Sequence, residues 1–288
     1  MEEKILDISG IKIFVTRSGG GRPCICLHGW GRGVSSEAFS SIREHLKDAE
    51  VDIIAPDLPG FGKSDEPPRA WTVDDYADCI EELVKQLKVK DVFLLGHSFG
   101  GRIAIKLAAR QSALLERSPE ANVERPLHSP LDTLGAQSRR AWISHLFLCA
   151  SAGVGRDLLI RRRFWLIIAK IGNAIFFIPG LSLLKPFARK VLYKLLRVRD
   201  YSEASERMRE TMKAVIEEDL TPLLSKIAVP TDLFWGTEDT LTPLRDGQLM
   251  NKKIVQSTLH VFPGARHNVH REKALEIAQI IRFQLSAL

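Results

Sequence analysis

The sequence predicts a doubly wound α/β domain on two observations. Short apolar runs alternate with stretches of helical spacing along most of the 288 residues. Several of those runs are apolar on both faces, as strands are when helices cover both sides of a parallel sheet. The runs are IKIFVT (11–16), PCICLHG (23–29), VDIIAPD (51–57), VFLLGHS (92–98), HLFLCAS (145–151), TDLFWGT (231–237) and LHVFPGA (259–265). Between them, the stretch from Thr72 to Lys88 places Val73, Tyr76, Ala77, Ile80, Leu83, Val84 and Leu87 on one helical face, with Thr72 and Asp75 as a capping pair. The stretch 271–285 carries Ala274, Ile277, Ala278 and Ile281 at the same spacing.

Two segments break the rhythm. Residues 111–140 are rich in Ser, Pro, Glu and Arg with no sustained period, and read as a long loop insertion. In a parallel sheet the connection after a helix runs along the N-terminal strand ends, so this loop is expected to lie far from a site at the C-terminal ends. Residues 155–219 hold helical spacing, such as Ala204, Met208, Met212 and Val215, without strand signals. They read as a helical cap inserted into a core made of 1–154 and 220–288.

Composition excludes several classes. A net charge of +6 is mild for the length, and no zinc-finger or RNA-binding signature is present, so nucleic acid is not an expected partner. Cys24, Cys26, Cys79 and Cys149 sit in strand or helix patterns and read as buried reduced thiols of a cytoplasmic protein. Cys24 and Cys26, two apart, are expected on one strand face. The opening MEEKILDISG is acidic and poor in apolar residues, unlike a signal peptide.

The chemistry concentrates at GHSFGG (96–101), which follows a strand and precedes the helical RIAIKLAAR. A sharp strand-to-helix turn of this kind, a nucleophile elbow, holds Ser98 in a strained conformation that exposes its hydroxyl. Gly96 and Gly100 remove side chains that would collide across the turn. A serine hydroxyl needs a base. His267, in GARHNVH after the last strand, is the candidate. His270 is the rival, expected instead to cap the last helix or face solvent, and His97 is expected to point away from the turn. The histidine in turn needs a carboxylate. WGTEDTLTP offers Asp239 and Glu238, of which Asp239 is favoured because the loop turns there before Pro243. Two backbone donors complete the set: the amide of Phe99 after the nucleophile, and that of Trp30 in the loop after CICLHGW.

With these pieces in place the chain resembles the α/β-hydrolase superfamily, particularly its small capped bacterial esterase-like members. HGWGRG (28–33), DLPGFGKSD (57–65), GHSFGG, WGTEDTLTP (235–243) and GARHNVH (264–270) carry the resemblance, in the family's order. It implies an α/β-hydrolase fold with Ser98 as nucleophile, His267 as base, Asp239 as acid and an oxyanion hole of the Trp30 and Phe99 amides. The DLPGFGKSD segment is given no chemistry beyond shaping the pocket rim. Relatives with an aspartate nucleophile are set aside by Ser98. Carbon–carbon hydrolases of ring-fission products carry an asparagine before the nucleophile and a tryptophan after the histidine, where this sequence has His97 and Asn268.

The leading expectation is a carboxylic-ester hydrolase working through an acyl-enzyme, with no cofactor and no metal. The alternatives are a carbon–carbon hydrolase using the same triad and a small-molecule receptor of the same fold. Charge adds one expectation about partners. Residues 156–199 carry eleven Lys and Arg against Asp157, a net of +10, leaving −4 for the rest. Interleaved with large apolar residues, these charges read first as the solvated side of a cap whose apolar faces cover the pocket; the sharper alternative is a cap that meets an anionic amphiphile, either a long-chain acyl substrate or a peripheral lipid surface. Lys170, Asn173 and the Pro179–Gly180 break argue against a membrane-spanning helix here.

Overall fold

A computed structural model describes residues 1–31, 33–116, 141–154 and 204–286. All seven apolar runs are strands. Among the described residues the strands are β1 (Glu2–Ile8), β2 (Ile11–Gly19), β3 (Arg22–Leu27), β4 (Val51–Pro56), β5 (Val92–His97), β6 (Ile143–Cys149), β7 (Thr231–Gly236) and β8 (Ser257–Phe262). They form one sheet in the order β1-β2-β4-β3-β5-β6-β7-β8. Pairing is antiparallel from β1 to β2 and from β2 to β4, and parallel everywhere else. The helices are α1 (Ser40–His45), α2 (Val73–Leu87), α3 (Phe99–Glu116), α4 (Glu206–Glu217), α5 (Leu244–Lys253), α6 (Val269–Glu272) and α7 (Ala274–Ser286).

Side-chain alternation divides the core between the two sheet faces. Ile25, Leu27 and Leu94 meet α2 and α3 through Ile80, Leu83 and Ile103 on one side. Cys24, Cys26, Phe93 and Leu95 meet Phe39, Ile42, Ile277 and Ile281 on the other. The cysteines are buried and free, with the Cys24 and Cys26 sulfurs 3.9 Å apart on one face as expected. Thr72 and Asp75 form a full capping box at the start of α2.

The structure adds detail to four of the readings. The opening MEEKILDISG contains a strand: β1 turns into β2 through Ser9 and Gly10, both at positive φ (53° and 85°), the geometry of a two-residue hairpin. The strand is mostly exposed at the sheet edge, so it lacks an apolar run to announce it. The helix after GHSFGG continues to Glu116, six residues into the predicted loop. Gln111 explains why: its side chain accepts from the Trp142 and Ile143 amides and donates to the Ile143 carbonyl, so this polar residue fastens the start of β6. The C-terminal helix is interrupted at Lys273 between α6 and α7. Finally, the described end of the expected cap, α4, packs Met208, Thr211 and Val215 inward, and the Thr211 hydroxyl accepts from the Trp71 amide at 3.0 Å. The rest of the expected loop (117–140) and cap (155–203), with the basic stretch, lies outside the described residues.

Candidate active site

The chain passes from β3 to β4 on one side and then to β5 on the other. Strand order therefore reverses at β3, which opens a crevice at the C-terminal ends of β3 and β5. Trp30 follows β3 and Ser98 follows β5, so both project into that crevice. They line a cavity of about 1390 Å³ together with Phe99, Asp239 and His267. All five predicted polar or oxyanion positions are thus brought to one place.

Ser98 sits at φ 50°, in the left-handed region that costs a non-glycine residue. Neighbouring main chain holds it there. Its amide donates to the Cys149 carbonyl at 3.1 Å, and its carbonyl accepts from Gly101 and Ala152 at 3.1 and 3.0 Å. The flanking glycines are required by contact. A Cβ at Gly96 would stand 2.6 Å from the Gly100 carbonyl oxygen, and one at Gly100 would collide with the Leu27 carbonyl. Phe99 opens α3, so its N–H has no acceptor one turn back within the helix, and the helix directs its positive end at the crevice. The Trp30 ring packs edge-on against Phe61 and Phe99, which fixes the loop that carries its amide.

Asp239 follows β7 and is buried. Its Oδ1 accepts from the Leu241 and Thr242 amides at 2.8 and 2.9 Å. Its Oδ2 lies 2.9 Å from His267 Nδ1 and 2.8 Å from the Thr242 hydroxyl. Burial pushes the carboxyl up, but the His267 and Thr242 contacts together outweigh it and hold Asp239 below its usual range. Asp239 is therefore a carboxylate that accepts from His267 Nδ1–H, which leaves Nε2 as the ring nitrogen able to exchange a proton. Glu238, the neighbouring candidate, is exposed.

Two histidines depart from expectation. His270 neither caps a helix nor faces solvent. It is 2% exposed, its two ring nitrogens are unpartnered, and its ring centroid lies 3.9 Å from that of His97. His97 returns toward the site: its Nε2 donates to the His267 carbonyl at 3.0 Å. It thereby fastens the turn that carries His267 to the residue beside Ser98. Thr242 and His97 were both missed as supports. For Thr242 the available signal was its place three residues after Asp239, within reach of a carboxylate that accepts from its own loop. The DLPGFGKSD segment is organised by Asp57, which accepts from the Ser36 and Lys63 amides at 2.6 and 2.8 Å.

The family model described as "Alpha/beta hydrolase family" matches residues 24–280. The chain belongs to the alpha/beta hydrolase family. Among its relatives, 2-hydroxymuconate semialdehyde hydrolase of Pseudomonas sp. (strain CF600) is 33% identical over 284 residues, covering 95% of this chain and 90% of that protein. An esterase from Exiguobacterium antarcticum superposes with a TM-score of 0.69 at 24% identity, over 99% of this chain and all of the other. A meta-cleavage product hydrolase from Pseudomonas fluorescens superposes with a TM-score of 0.66 at 21% identity, over 99% and 97% of the two chains. No helix among the described residues of this alpha/beta hydrolase is long and apolar enough to cross a membrane.

Buried neutral histidines give this hydrolase an acid sensitivity. His28 accepts the Leu58 amide at Nε2, so its Nδ1–H donates to the Gly29 carbonyl, and burial lowers it to about 4. Burial, with Arg271 and His267 nearby, lowers His270 to about 3. Burial, with His270 and His267, lowers His97 well below 6.5. In the unfolded chain all three protonate near 6.5, so below that pH the unfolded state binds more protons and the fold loses stability. With three groups the slope reaches about 4 kcal/mol per pH unit. Urea midpoints are expected to hold from pH 8 to 7 and fall steeply from 6.5 to 5; equal midpoints at pH 7 and 5 would contradict the neutral assignment.

Proposed function

We propose that this alpha/beta hydrolase cleaves carboxylic esters through an acyl-enzyme on Ser98, His267 and Asp239. One observation carries the reading: the carboxylate of Asp239 holds the Nδ1 proton of His267, freeing Nε2 as a base in the cavity that Ser98 lines. In the forward step Ser98 Oγ bonds to the acyl carbon and its proton passes to His267 Nε2. The carbonyl oxygen becomes an oxyanion, taken by the Trp30 and Phe99 amides. Collapse expels the alcohol, which takes the proton from His267. Water then repeats the sequence: His267 accepts its proton, the hydroxide adds to the acyl carbon, and Ser98 leaves with the proton returned. The Ser98, Phe99, Trp30, His267 and Asp239 roles supply every proton transfer and donor this chemistry needs.

A second reading is favoured by the 33% identity to 2-hydroxymuconate semialdehyde hydrolase: carbon–carbon cleavage of a ring-fission product by the same residues. His97 and Asn268, which stand where such enzymes carry asparagine and tryptophan, weigh against it. Nitrophenyl esters of acetic to dodecanoic acid, run beside a 2-hydroxy-6-oxodienoate, separate the two. Hydrolysis of an ester by the wild type, lost in Ser98→Ala, supports the esterase. Turnover of the dienoate alone selects the second reading, and binding without turnover of either selects a receptor.

A further inference from the structure

Arg102 stands in the first turn of α3, the helix that begins directly after Ser98. It is 3% exposed and lines the cavity that holds Ser98, beside the apolar Phe99, Val154 and Val215. Its Nη2 donates to the main-chain carbonyl of Glu218, and its Nε is buried with no hydrogen-bond partner. The two carboxylates that act on it without touching it, Glu218 and Asp219, are engaged elsewhere, Asp219 by the Thr221 amide and hydroxyl. The Glu218 carboxylate pairs with Lys106, which also holds Asp74 at 3.0 Å. Among the described residues, no carboxylate oxygen lies within salt-bridge distance of the Arg102 guanidinium.

A cation taken out of water with no carboxylate in direct contact is costly to the fold, and a buried guanidinium donor left open adds to the cost. Burial lowers Arg102 to about 10, so the guanidinium remains charged at neutral pH. Its planar fork matches a carboxylate better than any neutral group. The apolar Phe99, Val154 and Val215 in the same lining suit a short methylene chain. The bland role, closing the C-terminal end of α4 through the Glu218 carbonyl, uses one of the guanidinium nitrogens and leaves Nε open.

We propose that Arg102 is the anion subsite of this pocket, binding the free carboxylate of a substrate whose other end presents its carbonyl to Ser98. The substrate class is a monoester of a short dicarboxylic acid. The scissile bond rests on the esterase reading above; the anion subsite does not.

The test pairs the nitrophenyl monoester of glutaric acid with nitrophenyl valerate, which has the same five-carbon acyl chain and no charge. The wild type is expected to favour the glutarate monoester at least tenfold in kcat/KM. Arg102→Met is expected to reduce that ratio at least tenfold, chiefly through KM, and Arg102→Lys to restore part of it. Glutarate itself, titrated calorimetrically into Ser98→Ala, is expected to bind, and to bind at least tenfold more weakly when Arg102→Met is added. A ratio unchanged in an Arg102→Met protein of wild-type circular dichroism overturns the proposal. Should Arg102→Met not fold, a wild-type preference for valerate overturns it equally. If neither ester is hydrolysed the esterase reading fails, and the glutarate titration alone decides the subsite: no binding to the wild type overturns it.

Discussion

Ser98→Ala is expected to abolish ester turnover, with a loss on the order of ~10⁴ to 10⁶ in kcat, while the protein remains folded. The loss follows from chemistry: no other hydroxyl stands at the head of α3 with its backbone at φ 50°. The fold is preserved because the hydrogen bonds that hold the turn belong to the main chain. Cys149, Gly101 and Ala152 bond to the Ser98 backbone, and alanine keeps every one of them. Ser98→Gly sharpens the point. Glycine accepts positive φ without a Cβ penalty, so this variant is expected to melt no lower than the wild type while being equally inactive. Strain at this residue then serves the hydroxyl and not the fold. Retention of wild-type esterase rates by Ser98→Ala, in protein shown by mass to carry the substitution, would sink the mechanism.

The core and the site were legible in the sequence for a common reason. Strands buried on both faces spell themselves as unbroken apolar runs, and the site residues sit at the ends of those runs, where the sheet topology brings them together. Ser98, Asp239 and His267 each follow a strand (β5, β7 and β8), so locating the strands located the candidate site. What sequence reading missed has no such marker. β1 is an exposed edge strand, so its side chains answer to solvent and show little apolar patterning. Gln111 looks like a loop residue, but its amide is satisfied by β6, thirty-two residues further along the chain. His270 looks like a solvent-facing cap residue because its neighbours Arg271 and Glu272 are polar. Its burial comes from packing against His97 and Phe39, contacts made across the fold. Arg102 was hidden in the helical RIAIKLAAR, where an arginine is unremarkable until its burial is known.

Asp239→Asn is expected to cost about 10³-fold or more in kcat with little change in shape. The hydrogen bonds around Asp239 fix which way the amide must lie. Oδ1 accepts from two backbone N–H groups, Leu241 and Thr242, and an NH₂ placed there would meet two donors. The amide oxygen therefore keeps the Oδ1 position, and the NH₂ takes the Oδ2 position, 2.9 Å from His267 Nδ1. A donor now faces Nδ1, so Nδ1 must accept, and the ring proton moves to Nε2. The nitrogen aimed into the cavity then carries a proton and cannot take one from Ser98. The negative charge that would stabilise the imidazolium is lost as well. Glu238→Gln changes the neighbouring residue by the same chemistry, yet Glu238 is exposed, and its loss is expected to be small. The pair of variants separates the two acids in one assay, with kcat measured on a nitrophenyl ester and folding checked by circular dichroism. The opposite ranking, Glu238→Gln crippled and Asp239→Asn near wild type, would move the acid to Glu238 and break the tautomer argument that makes His267 a base.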